Sequence, residues 1–159
     1  MKKTLVLILL SISAPFFGQT DEIVKHNGEK TEVNFIKTEN SIIYYSLPGN
    51  FEEKKISKYA VALLNSKSKK SSQIITEKIQ ISTKSDSKKI IVLKPSETFG
   101  LEKADIINLF PALTKGQTAQ LAKELAEKRL KEKAAAKGYP FIVIEANNQN
   151  ELKATAYKY

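Results

Sequence analysis

The chain contains no cysteine and only one histidine, His26, among its 159 residues. The absence of cysteine excludes a disulfide framework, thiol chemistry, cysteine-ligated zinc and iron–sulfur clusters. One histidine offers little for a metal site, because an enclosed zinc site takes four protein ligands and a catalytic one takes three. The apolar core must therefore hold the fold unaided, and we expect no cofactor.

The chain also lacks an apolar run of the about 20 residues that a membrane-spanning helix needs. The run from Leu5 to Leu10 is diluted by Ser11 and Ser13 and ended by Pro15. We therefore expect no transmembrane span once this region is removed.

The first 18 residues instead have the layout of a secretory signal peptide. Lys2 and Lys3 form a short positive stretch, the apolar run follows, and Gly18 offers a cleavage position. No cysteine stands beside that position, which excludes a lipoprotein. We predict export to the periplasm or the cell exterior with cleavage after Gly18, and an uncleaved signal anchor is the alternative.

Positive charge is concentrated in one part of the chain. Residues 54–94 hold eleven lysines against Glu77 and Asp86, a net charge of +9, whereas the rest of the mature chain has 13 basic and 15 acidic residues. The positive electrostatic potential of such a region attracts an anionic polymer or a lipid surface. The candidate anion-binding surface consists of Lys67, Lys69, Lys70, Lys88 and Lys89. The alternative is a solvated lysine surface that keeps the protein soluble.

Specific nucleic-acid binding is not expected from this basic region. Residues 54–94 contain no arginine, whose forked side chain reads guanine, and residues 66–94 contain no aromatic ring to stack on a base.

Aromatic residues suggest a second candidate surface. Strand alternation places Tyr44 and Tyr45 on opposite faces, so that one ring packs inward and the other is exposed. We select Tyr45 and Tyr59 as candidate contact residues for a partner protein. Cross-strand packing is the alternative reading of both.

The mature chain, residues 19–159, divides into two modules in an α+β fold. Residues 19–64 predict a small antiparallel β module, either a curled barrel or an open meander. An Asn27-Gly28 hairpin turn lies near its start. Residues 65–73 (NSKSKKSSQ) predict a linker or exposed loop.

The second module, residues 74–159, is predicted to run β-β-β-α-β-β. We expect strands at 74–81, 90–93 and 104–110, a helix at about 117–137, and strands at 141–144 and 152–157. The helix has one broad apolar face and ends at Gly138, before Pro140. The apolar positions of that face are Ala119, Leu121, Ala122, Leu125, Ala126, Leu130 and Ala134.

Two segments resemble known proteins. The first module, from Asp21 through Asn27-Gly28 and IIYY to ISKYAVALLN at 56–65, resembles a domain of uncharacterised exported proteins of Bacteroidetes. Its last segment is similar to the final strands of the Sm-like RNA chaperone barrel, although this chain lacks that family's leading helix. The resemblance implies the barrel and not the RNA activity. Helix 117–137 with the following Gly-Tyr-Pro and FIVI is similar to small envelope proteins.

No catalytic constellation stands out. An enzyme would need a pocket that gathers Asp105, Glu145 or His26 within hydrogen-bond reach. For His26 itself, Glu22 would share its strand face as a possible second ligand, but an exposed hairpin residue is the preferred reading. We therefore predict a non-enzymatic binding or accessory module of the cell envelope. Its partner is expected to be an envelope protein or an anionic polymer or lipid surface.

Overall fold

The computed structural model describes residues 20–109, 118–147 and 151–159. Two sheets and one long helix make up this part of the chain, so the α+β class is confirmed. The predicted signal peptide, residues 1–18, lies outside the described residues.

The first sheet has six antiparallel strands in the order β4-β3-β2-β1-β5-β6. The strands are β1 (Asp21–Lys25), β2 (Lys30–Glu39), β3 (Ile42–Ser46), β4 (Lys54–Ser57), β5 (Val61–Ser66) and β6 (Ser71–Ile74).

Two tight turns set the register of the first three strands. The Asn27-Gly28 hairpin is confirmed: the N–H of Gly28 donates to the carbonyl of Lys25, and Gly28 has a φ of 91°. Asn40 and Ser41 form a two-residue loop with φ of 48° and 69°, the left-handed pair that matches the twist of a hairpin.

This sheet curls because of the short link between β4 and β5. The two strands are separated by β3, β2 and β1 in the sheet, yet only the 3-10 turn Lys58–Ala60 joins them along the chain. So short a link requires the end of β4 to approach the start of β5. The inner face of the curl is apolar and fully buried at Ile23, Val33, Ile43, Ile56 and Val61.

The prediction of a strand at 74–81 is wrong, because the strand in this region begins and ends earlier. Ser71–Ile74 forms β6 and pairs with β5 across a turn at residues 67–70, inside the segment predicted as a linker or loop. A polar sequence is tolerated there because β6 is an exposed edge strand.

Residues 75–81 instead cross from the first sheet to the second without regular structure. Their apolar residues pack successively against three different clusters: Ile75 on the first sheet, Ile79 between the sheets, and Ile81 beneath the helix. The apolar pattern that imitated a strand therefore comes from contacts in three separate places.

The second sheet has four strands in the order β7-β9-β10-β8. They are β7 (Ile91–Val92), β8 (Glu102–Leu109), β9 (Phe141–Asn147) and β10 (Glu151–Lys158), and β7 pairs with β9 in parallel. Among the described residues two strands of this sheet, rather than three, precede the helix. The strand predicted at 104–110 is confirmed as β8.

Helix α1 (Ala119–Ala136) lies on one face of the second sheet. The Thr118 hydroxyl accepts from the N–H of Leu121 at 3.3 Å, which caps the first turn. Ala126, Leu130 and Ala134 are buried against the sheet, whereas Leu121 is 45% exposed. The expected apolar face is thus covered only along the second half of the helix.

None of the helices in the described ranges has the length and apolarity needed to cross a bilayer.

A third apolar cluster joins the two sheets. Phe141 of β9 is fully buried there, with its ring centroid 5.8 Å from that of Tyr59 and 5.2 Å from that of Tyr159. Leu101 contacts both this cluster and the core of the first sheet. The two sheets therefore have separate cores that meet in a common packed junction.

Candidate functional site

A groove of about 480 Å³ opens beside the inner side of the first sheet. Its apolar lining includes Phe35 of β2, Leu64 of β5 and Ile74 at the end of β6. Phe35 is 37% exposed and Ile74 is 69% exposed, whereas Leu64 is buried. Apolar side chains accessible along a concave surface are typical of ligand and peptide sites. We call this feature the β2–β6 groove.

The shape of β2 determines which residues line the groove. A bulge at Ile36 shifts the register between Phe35 and Lys37, which puts both Phe35 and Thr38 into the lining. A regular strand would place residues three apart on opposite faces. The bulge therefore widens the part of β2 that faces the groove.

The charged residues of the groove are Lys58, Lys69 and Asp21. Lys69, one of the five lysines predicted to form an anion-binding surface, is exposed in the turn between β5 and β6. Asp21 begins β1 and pairs with Val33 and Ser66 on its two sides. The groove thus combines apolar walls with a small excess of positive charge.

The predicted anion-binding lysines fall on two separate elements. Lys67, Lys69 and Lys70 share the turn between β5 and β6, whereas Lys88 and Lys89 belong to the 3-10 turn Lys84–Lys89.

Ion pairs reduce the charge of this predicted surface. Lys67 lies 2.5 Å from Glu32, and this hydrogen bond raises the pKa of Lys67. Lys89 lies 2.7 Å from Asp86, and its hydrogen bond, with those from the N–H groups of Ser82 and Thr83, lowers the pKa of Asp86. The charge of each of these two lysines is therefore partly offset by a neighbouring carboxylate.

Lys88 lies in a second, shallower groove between its 3-10 turn and α1. Lys128 and Lys131 share this groove with Glu124 and Glu127, and Lys131 is 2.8 Å from Glu127. Three cations and two carboxylates are interleaved here, and the pair between Lys131 and Glu127 offsets two of these five charges.

The two predicted contact tyrosines lie in different environments. Tyr45 is partly buried against the core of the first sheet, and Tyr59 is partly buried in the junction beside Phe141. On the opposite face from Tyr45, Tyr44 is flanked by Lys37 and by Lys55, whose ammonium nitrogens lie 5.0 and 5.4 Å from the ring centroid. Both Tyr45 and Tyr59 thus pack partly against apolar clusters, and their role as contact residues stays a prediction.

His26 is not the exposed hairpin residue that the sequence suggested. Its Nε2 lies 2.8 Å from the Thr76 hydroxyl, and its ring lies 4.6 Å from that of Tyr159. Burial lowers the pKa of His26, and the nearby charge of Lys78 lowers it further. Glu22, the imagined second metal ligand, accepts instead from the side chain of Asn65 at 2.9 Å. His26 thus holds the hairpin against the junction.

Asp105 and Glu145 lie on opposite faces of the second sheet. Asp105 is opposite Ala156 in the sheet, and the side chain of Ala156 packs under α1. The Asp105 carboxylate accepts a hydrogen bond from the ammonium group of Lys137, just after the end of the helix. Glu145 accepts from the Thr155 hydroxyl at 3.2 Å on the other face. The pocket required by the enzyme hypothesis is therefore not formed by these residues.

Within the described ranges, no three histidine, aspartate or glutamate side chains converge in a way that could hold a metal ion.

The two exposed apolar residues of the groove, Phe35 and Ile74, were not singled out by sequence reasoning. Phe35 lies two residues after the buried Val33 and therefore has the pattern of a core residue. Ile74 was assigned to the start of the strand predicted at 74–81. Their exposure depends on where other strands end, and no local pattern carries that information.

Comparisons of the chain with protein-family models, with curated proteins and with solved structures find no match in any of the three.

Proposed function

We propose that this chain is an exported, non-enzymatic binding module of the cell envelope and that the β2–β6 groove holds a partner protein. The observation that carries the proposal is the exposure of Phe35 and Ile74 along a groove of about 480 Å³. Contiguous exposed apolar surface is the usual mark of an interaction site. The signal-like residues 1–18 support the assignment to the envelope.

Site-specific crosslinking in the native host tests this proposal. A photo-crosslinking residue at Gln73, which lines the groove, is expected to capture one envelope protein reproducibly. The same residue at Lys123, exposed on α1, is the matched control and is expected not to capture it. Adding Ile74→Lys should lower the yield at Gln73 by about tenfold, because it replaces an apolar contact with a charge. Equal capture at both positions would contradict the proposal.

The lysine surface is the second candidate, supported by the crowding of Lys67, Lys69 and Lys70 within one turn. It predicts salt-sensitive retention on lipopolysaccharide or an anionic resin. Replacing all five predicted lysines with serine should abolish that retention. The groove hypothesis instead predicts capture with little dependence on salt, because apolar contacts are hardly screened.

A further inference from the structure

One edge of β2 is available for pairing beside the groove. Only four of the ten residues of β2, Lys30–Val33, pair with β1, and their partners are Asp21–Val24. The outer half of β2, residues 34–39, pairs with β3 on one side. On its other side, within the part of the chain that the structure describes, no strand pairs with it.

The groove lies in line with the start of β1. Asp21 pairs with Val33 on one side and Ser66 on the other, so β2 and β5 lie on either side of that position. Asp21 lines the groove, and so do Phe35, Ser66 and Ser71 from these neighbouring strands and from β6. The groove is thus placed where a further strand next to β2 would run.

We propose that the groove receives an extended segment of the partner protein, which adds as a strand along residues 34–39 of β2 and carries an acidic side chain near Lys69. This inference rests on the proposed function and names the chemistry of the ligand. The six residues 34–39 correspond to about 20 Å of extended peptide. Main-chain hydrogen bonds to a free edge supply affinity in this mode of recognition, and side-chain pockets supply specificity.

The lining of the groove specifies the side chains of the segment. Alternate residues of a strand face the same side, so every second residue meets the apolar lining formed by Phe35 and Leu64 and is expected to be apolar. The cations Lys58 and Lys69 outnumber Asp21 in the lining, which favours an acidic residue at the end near Lys69. The ligand class is therefore an extended peptide in which β-branched residues alternate and an acid stands at one end.

Selection from a displayed library of random heptapeptides tests the inference with the full chain as it is exported. We expect enrichment of alternating Val or Ile with an acidic residue. Lys69→Glu should exchange that acid for a basic residue among the selected peptides. Ile74→Lys should weaken binding at least about tenfold. Lys123→Glu, on the exposed side of α1, is the matched charge control and should leave selection unchanged.

Hydrogen exchange and through-space NMR contacts then locate a selected peptide. Strand addition predicts slower amide exchange within residues 34–39 and backbone contacts between the peptide and that edge. Because Ile74 is 69% exposed, its lysine variant should keep the native spectrum, so lost binding cannot be ascribed to unfolding.

Two outcomes would overturn the strand-addition inference separately from the proposed function. Selected peptides that bind without slowing exchange in residues 34–39 would disprove strand addition while leaving the groove as a binding site. A library that yields no binder, while the crosslinker at Gln73 still captures its partner, would show that the ligand is not an extended peptide. If the library yields no binder and the crosslinker at Gln73 also captures no partner, the groove is not a binding site.

Discussion

At the residue scale, two glycines with nearly the same positive φ have different surroundings. Gly100 has a φ of +79° and Gly49 a φ of +76°. A Cβ on Gly100 would lie 2.7 Å from Cγ1 of Ile56, whereas a Cβ on Gly49 meets no atom within 4 Å. Both positions are strained for any other residue, but only Gly100 also needs the space against Ile56, in the core of the first sheet.

We predict that Gly100→Ala destabilises the protein by about 1–3 kcal/mol more than Gly49→Ala. The left-handed strain of about 1 kcal/mol is common to both variants, and the additional loss comes from overpacking against Ile56. Urea unfolding of the two variants measures the difference directly. Equal losses would mean that the loop holding Gly100 moves aside without cost.

At the scale of elements, α1 is anchored by only part of its apolar face. Leu130 is fully buried in the cluster shared with β8, β9 and β10, whereas Leu121 is 45% exposed near the start of the helix. The same substitution at Leu130 and at Leu121 changes the helix propensity equally, so a difference in stability between the two variants measures the effect of burial.

Leu130→Ala is expected to lower the free energy of unfolding by about 2–5 kcal/mol, because it leaves a cavity in a packed core. Leu121→Ala should cost less than about 1 kcal/mol, because it removes an exposed side chain. Thermal and urea unfolding give both values, and similar losses would show that the start of α1 is packed in solution.

At the scale of the whole molecule, the two sheets are expected to unfold together because they share the junction around Phe141. His26 belongs to this junction: its backbone N–H donates to the carbonyl of Ala60, its ring packs on Tyr159, and Thr76 and Lys78 lie beside it. Protonation of His26 would place a second cation next to Lys78 and oppose the burial of the ring.

Stability is therefore expected to fall as the solution is acidified. The pKa of His26 is lowered in the folded protein, chiefly by burial, from an ordinary value of 6.5. The unfolded chain then binds more protons just below pH 6.5, so the stabilisation is complete above that pH and is lost as pH falls towards the lowered value. Melting temperatures between about pH 7.5 and about pH 5 measure this loss, since His26 is the only side chain that ordinarily titrates there.

His26→Gln is the matched variant, because glutamine keeps a polar group near Thr76 but does not titrate in this range. Its melting temperature should change less with pH than that of the native chain. An unchanged pH dependence in the variant would assign the effect to other groups. Separate transitions for the two sheets would contradict their coupling through the junction.

Much of the architecture followed from local patterns in the sequence. Three features were predicted near their observed positions: the Asn27-Gly28 turn, the boundaries of α1 near Thr118 and Gly138, and strand β9. These features depend on residues close together in the chain: a left-handed turn, alternation along a strand, helical spacing and a cap.

The groove could not be predicted in this way, because it arises from the relative lengths of strands. Phe35 has the pattern of a buried strand residue and is partly exposed beside the groove, next to the part of β2 that the short β1 does not reach. Ile74 ends an edge strand whose polar neighbours resembled a linker. The candidate site therefore depends on pairing between distant segments, which no local pattern encodes.

The sequence by itself determined the mixed α+β composition, the absence of cysteine chemistry, the concentration of lysines in residues 54–94 and the signal-like start of the chain. Only the tertiary structure decided that residues 75–81 cross between the sheets, that His26 is held in the junction and that Asp105 and Glu145 lie on opposite faces. The physical reason is that local conformation follows from the side chains of neighbouring residues. Burial, pairing and proximity depend on segments far apart in the chain.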